Sequence, residues 1–218
     1  MQLIFITAGR LDLFKRTICS LDLLEDKSLL TSVVIVDDAS TESDLNQMRI
    51  SVETLLPGRT CKIHIRPAPV GYRLQMETWR VNLAGDYSFH CEDDWEFRNP
   101  GTMLTAAQDV LQHDLSLAQV AFTRPYGDGE LLKTQNGTTY WIKAPDPYLP
   151  YTSNPSVVRV SAFKSTGPFT EASGTGHGEH DFGLKLMAKG YRTAYLEHQL
   201  AWHTGHGRSA FTTNKTPR

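Results

Sequence analysis

The sequence predicts an α/β fold: a doubly wound, mostly parallel sheet with a smaller β and loop region behind it. Three observations lead there. Strand-like and helix-like segments alternate from residue 3 to residue 124. The clearest strand segment, "SVVIVDD", is apolar without interruption, as in a strand buried on both faces. Polar and acidic residues gather at the ends of these strands, the edge where open α/β sheets bind ligands.

Element by element, "LIFIT" (3–7) is a short apolar strand that stops at "AGR". Residues 11–24 follow as a helix, with Leu13, Phe14, Ile18, Leu21 and Leu24 at helical spacing. "SVVIVDDAST" (32–41) is the second strand. Residues 41–56 form a helix with Thr41 as N-cap and Asp44 three positions on. "CKIHIRP" (61–67) is a strand, 73–84 a helix stopped by Gly85, and 86–97 a strand running into an acidic cluster. A helix over 100–114 has Pro100 near its start, and a strand covers 117–124. Residues 125–156 are rich in Pro, Gly, Tyr and Trp and read as a hairpin or long loop over the crevice. A strand over 156–163, a glycine-rich loop over 173–182, a helix over 180–190 and a strand over 191–197 complete the pattern.

The chain has 218 residues, enough for one sizeable core, and we expect one domain over 1–218. Within it, the regular strand–helix alternation covers 1–124 and a different texture covers 125–218. Hydrophobic content of 40% and charged content of 21% are those of a soluble globular protein. A net charge of −2 gives no global field for nucleic acid or anionic membrane. Cys19, Cys61 and Cys91 lack metal-type spacing and are expected as reduced, mostly buried thiols. No signal peptide and no apolar run of about 18 residues is visible, so a cytoplasmic protein with no membrane span is expected. The sequons at Asn136 and Asn214 are then chance matches.

"FHCEDDWEF" (89–97) places Glu92, Asp93 and Asp94 together at the end of an apolar strand. Three carboxylates there repel one another and lose hydration, so a cation should compensate. Asn at position 94 would relieve that repulsion. Such a cluster suits Mg²⁺ or Mn²⁺, whereas an isolated EDD is otherwise a solvated acidic turn. "HGEH" (177–180) lacks the spacing that puts two imidazoles on one helical face, which argues against zinc.

Several pieces together resemble the family-2 glycosyltransferases of the GT-A fold, whose sheet is Rossmann-like. "TAGRLDLFKRTICSL" resembles their opening strand and helix. "VVIVDDAST" resembles the nucleotide-binding strand end, and "VGYRLQMETWRVNLAGDYSFHCEDDWEF" the helix and strand leading to the D-x-D motif. "FKSTGPF", "GEHDFGLKLMAKGYR" and "AWHTG" resemble the later Gly-Gly-Phe, E-D and histidine segments. The pieces keep the family's order over roughly residues 3 to 205.

The resemblance implies a metal-dependent, inverting transferase that uses Mn²⁺ or Mg²⁺ and a nucleotide diphosphate sugar, a UDP-sugar first. The acceptor would be a hydroxyl of a glycan, a protein or a modified DNA base. Thr7 and Asp37 would hold the nucleobase and ribose, Asp37 being otherwise a turn cap. Arg10, Asp38, Arg73, Glu92 and Asp93 would belong to the donor site. Glu92 and Asp94 take the outer D-x-D positions, with Asp94 as the direct metal ligand and His203 completing the shell or serving structure. Glu179 would be the catalytic base, with Asp181 as the rival two residues on. Arg66, Arg73 and Arg80 would meet diphosphate or simply face water. Trp95, Tyr126, Tyr140, Trp141, Tyr148 and Tyr151 would stack on sugar or base, or pack the loop. Two other classes compete: a nucleotidyltransferase or sugar-nucleotide pyrophosphorylase, for which "TAGR" is a short opening loop, and a non-catalytic nucleotide- or sugar-binding module.

Overall fold

A computed structural model describes residues 1–38, 40–66, 71–124, 129–143, 151–170 and 178–205. Tyr126, Tyr148, His177, the sequon at Asn214 and the side chain of Arg66 lie outside the described residues.

The chain runs β1 (Gln2–Thr7), α1 (Leu11–Ser20), β2 (Ser32–Asp38), α2 (Glu42–Leu55), β3 (Thr60–Arg66), α3 (Tyr72–Asn82) and β4 (Tyr87–Glu92). It continues through β5 (Trp95–Phe97), α4 (Met103–His113), β6 (Leu117–Ala121), β7 (Gly129–Lys133), β8 (Thr139–Lys143) and β9 (Ser156–Arg159). Then come α5 (Val160–Thr166), α6 (Glu179–Ala188), β10 (Arg192–Leu196) and β11 (Ala201–His203). Among the described residues the main sheet has the order β3-β2-β1-β4-β9-β6-β10-β8-β7. The first four of these lie parallel, as do β6 and β10; β9 and β8 run against their neighbours.

Strand alternation divides the core between the two faces of the sheet. Leu3, Phe5, Val33, Ile35 and Phe89 face α1, α2 and α4 through Phe14, Ile18, Met48, Leu104 and Val110. Ile4, Ile6, Val34 and Val36 face α3, α5 and α6 through Met76, Trp79, Phe163 and Phe182. Both faces are therefore covered, which is the physical reason the strands are continuously apolar. Thr41 caps α2 by accepting from the Asp44 N–H at 3.2 Å, as its position in the sequence predicts.

Four elements depart from expectation, each for a tertiary reason. The strand expected over 86–97 breaks after Glu92. Thr17, reaching across from α1, donates to the Asp93 carbonyl (2.8 Å) and accepts from the Trp95 N–H (3.1 Å). β5 then pairs with β11 in a separate two-stranded sheet. The first helix ends at Ser20, whose hydroxyl accepts from the Phe97 N–H at 3.0 Å. The strand expected over 156–163 becomes α5 from Val160 onward, because β9 need only bridge β4 and β6 before the chain leaves the sheet. The β7–β8 hairpin does not arch over the crevice; it extends the sheet edge through β10. The cysteines are all free, but only Cys91 is buried; Cys61 is half-buried and Cys19 exposed. No helix among the described residues is long and apolar enough to cross a membrane.

Candidate active site

Parallel pairing brings the carboxyl ends of β1, β2 and β4 to one edge, with Thr7 beside Asp37 and Ile6 beside Glu92. The acidic cluster sits there, and the fold supplies its own counter-ion. Arg10, on the turn between β1 and α1, donates to both Asp93 and Asp94. Its Nη2 meets Asp93 Oδ1, its Nε lies 3.2 Å from Asp93 Oδ2, and its Nη1 lies 2.8 Å from Asp94 Oδ2. The Thr7 hydroxyl also donates to Asp93 Oδ2 at 2.8 Å. Burial works against the Arg10 charge, but Asp93 and Asp94 more than offset it, so its pKa is raised. Burial pushes the Asp93 carboxyl up, to about 6, against the pull of Arg10. Asp93 is fully enclosed and acts as the partner of Arg10 and Thr7. The relief of repulsion expected from Asn at position 94 is therefore opposed by the loss of an ion pair, since Asp94 is paired with Arg10.

Asp94 is held on several sides. Its carbonyl accepts from the Thr204 N–H (2.7 Å) and hydroxyl (3.0 Å), and its Oδ2 lies 3.2 Å from His203 Nε2. Its Oδ1 is buried with no hydrogen-bond partner among the described residues, although most buried polar atoms have one. Among the described residues no three His, Cys, Asp or Glu side chains form a group able to hold a metal ion. A partnerless carboxylate oxygen beside an imidazole nevertheless fits a hard cation that takes one or two protein ligands and fills its shell from phosphate and water. A Cβ on Gly205 would stand 2.2 Å from Asp94 Oδ2 and 2.8 Å from Asp94 Cβ. We expect Gly205→Ala to displace the Asp94 side chain and weaken Mn²⁺ binding at least about tenfold, a loss of about 1.4 kcal/mol, checked by calorimetric titration of Mn²⁺.

Asp37 and Asp38 point to opposite faces of the sheet. Asp37 is the capping carboxylate of its turn: Oδ2 accepts from the Ser40 N–H at 2.8 Å and Oδ1 from the Ser40 hydroxyl at 2.5 Å. Asp38 Oδ2 accepts from the Gly71 N–H at 3.1 Å, tying β2 to the start of α3.

Across the edge, α6 begins at Gly178, which sits in left-handed backbone (φ +71°) and packs against Thr170 and Arg73. Glu179 is the first helical residue. Its Oε1 accepts from the Ser153 N–H (3.1 Å) and the Tyr72 hydroxyl (3.3 Å), and its Oε2 has no hydrogen bond among the described residues. Burial, together with the charges of Asp94 and Glu179, pushes the Glu92 carboxyl well up. Asp181 is buried in the same turn, with His180 Nδ1 4.0 Å away. Residues two apart on a helix do not share a face, so Glu179 and Asp181 point to different surroundings.

Arg73 starts α3 beside Gly178, but Arg80 sits in the last turn of that helix, paired with Glu77 at 2.6 Å. It is at the far end of α3 from the acidic cluster, which removes it from the diphosphate candidates. Tyr140 is core, and Trp141 is half-buried on β8, next to the edge strand β7. Tyr151 packs against Phe163, Phe169 and Phe182, with its hydroxyl buried and without a hydrogen bond among the described residues. Trp95 is buried with its ring 5.2 Å from that of His203. Sequence reasoning missed Tyr72 and Ser153, which hold Glu179, and His90, a lone histidine inside the apolar strand "YSFHCE".

No family model matches the chain, and no curated protein does. Solved structures do match it. One is S. aureus TarS, residues 1–349, at 16% identity and a TM-score of 0.66 over 94% of this chain and 61% of that one. A second is the mannosyltransferase PcManGT from Pyrobaculum calidifontis with GDP-Man and Mn²⁺, at 14% identity and 0.66 over 97% and 59%. A third is GalNAc-T7 with UDP, GalNAc and Mn²⁺, at 10% identity and 0.66 over 93% and 44%. This is the GT-A-like glycosyltransferase fold. The chain spans about three-fifths of the first two of these glycosyltransferases. At such low identities the match concerns the fold, and the residue roles rest on the geometry above.

Proposed function

We propose that this chain transfers a sugar from a nucleotide diphosphate sugar, a UDP-sugar foremost, to a hydroxyl acceptor, with inversion at the anomeric carbon. One observation carries the reading. Glu179 has one oxygen anchored by Ser153 and Tyr72, its other oxygen has no hydrogen bond among the described residues, and Tyr72 follows Gly71, which is tied to Asp38 at the carboxyl edge of the sheet. That is what a positioned general base requires: a fixed carboxylate with one oxygen left for the acceptor's proton. The glycosyltransferase fold and the nucleotide-bound neighbours support the donor class.

On this reading residues 1–124 bind the donor and 125–218 bring the acceptor and the base. Thr7, Asp37, Asp38 and Arg73 border the nucleotide. Arg10 and Asp93 keep the strand end in shape from beneath. Asp94 and His203 would hold Mn²⁺ or Mg²⁺, which when bound neutralises the charge growing on the departing diphosphate. Glu179 takes the proton of the acceptor hydroxyl as its oxygen bonds to the anomeric carbon and the bond to diphosphate breaks. Attack from the side opposite the leaving group inverts the centre, and the transition state has oxocarbenium character.

The test is a turnover screen of UDP-, GDP-, CDP- and dTDP-sugars with and without Mn²⁺, reading release of nucleoside diphosphate. Metal-dependent release is expected, strongest with a UDP-sugar. Pyrophosphate release from a nucleoside triphosphate plus sugar phosphate would instead mark a nucleotidyltransferase. Tight nucleotide binding with no turnover of any donor would mark a binding module.

A further inference from the structure

We infer that His90 is a positioning residue for Glu179, acting through the backbone of Ser153; this rests on the reading of Glu179 as the base. His90 lies on β4, two residues before Glu92 and on the same face of the strand. It is buried, its ring is 4.7 Å from that of Trp79, and its Nε2 lies 2.8 Å from the Ser153 carbonyl. A carbonyl can only accept, so Nε2 carries the proton and Nδ1 is bare. Among the described residues Nδ1 has no partner, so the Ser153 bond is the only hydrogen bond seen there for a fully buried imidazole. Burial keeps the ring neutral, with its pKa lowered to about 4.

The same residue, Ser153, turns its N–H to Glu179 Oε1 at 3.1 Å. One residue thus joins the strand that ends in the acidic cluster to the helix that carries the base. Its neighbours are pinned as well. The Gln119 amide on β6 donates to the Thr152 carbonyl at 2.6 Å, and Asn154 donates to the Thr123 hydroxyl at 3.1 Å. His90 and Gln119 are fully buried polar residues of the sheet, and both reach the 152–153 stretch. Their combined effect is to fix where the Ser153 N–H points, and with it which oxygen of Glu179 is anchored. Misplacement by about 1 Å of a group that acts on a reacting atom can cost on the order of 100-fold in rate.

The experiment compares His90→Leu with His90→Gln, whose amide can restore a donor to the Ser153 carbonyl. His90→Leu should lower kcat about 10- to 100-fold, while the donor KM and the calorimetric affinity for UDP with Mn²⁺ stay within about twofold. His90→Gln should recover most of kcat. A second readout does not depend on turnover: hydrogen exchange of the Ser153 amide, followed by NMR, should speed up in His90→Leu and return toward the wild-type rate in His90→Gln. The inference is overturned if His90→Leu leaves that exchange unchanged, if His90→Leu keeps kcat, or if His90→Gln falls as far as His90→Leu. Absence of turnover in the wild-type protein would count against the transferase reading, and the exchange comparison alone would then decide this one. Should His90→Leu not fold, His90→Phe, which keeps a ring without the donor, takes its place.

Discussion

Replacing Glu179 with glutamine is expected to lower sugar-transfer turnover by about 10²–10⁴-fold while leaving UDP affinity nearly unchanged. The reason lies in how the side chain is held. Oε1 accepts from Ser153 and Tyr72, and a glutamine oxygen can accept both bonds in its place. What changes is the other terminus, where an oxygen able to take a proton becomes an amide that cannot. Binding should survive because Glu179 enters from α6, whereas the nucleotide side of the edge is built from β1, β2 and α3. Steady-state kinetics combined with UDP calorimetry separates the two effects. Asp181→Asn is the control, since Asp181 is buried on a different side of the helix. If Asp181→Asn abolishes turnover and Glu179→Gln does not, the base is Asp181.

Asp94→Asn is expected to abolish the gain in UDP affinity that Mn²⁺ confers and to lower turnover by orders of magnitude. The amide keeps the shape of the side chain but not its charge, and the partnerless Oδ1 is where a cation would gain most. The substitution should also lower thermal stability, by about 1–2 kcal/mol, because Arg10 loses a charged acceptor at position 94. Thermal unfolding of the empty protein checks the sign. A rise in Tm would mean that repulsion among the carboxylates outweighs the Arg10 pairing. Unchanged metal-dependent turnover would place the cation elsewhere.

What the sequence made legible were the features that local pattern decides. Continuous apolar runs marked β1 and β2 because both faces of the sheet are covered. Thr41 marked the start of α2 because a cap acts within one turn. The features it concealed are set by partners far along the chain. The break after Glu92 depends on Thr17, 76 residues away from Asp93. The cation that compensates the acidic cluster is Arg10, whose sequence neighbourhood gives no hint of Asp93 or Asp94. α5 was concealed because a short apolar run such as "VSAF" suits strand and helix alike. In the candidate site, motif order singled out the acidic cluster and Glu179. It could not single out Tyr72, Ser153 and His90, since each acts through a contact that only the fold creates.

The most direct measurement is a calorimetric titration of UDP into the protein with and without Mn²⁺, repeated with GDP, CDP and dTDP. A nucleotide-sugar transferase whose cation sits at Asp94 should bind UDP most tightly of the four. Mn²⁺ should tighten that binding by about tenfold or more, equivalent to at least about 1.4 kcal/mol. No binding of any of the four diphosphates with Mn²⁺ present would contradict it.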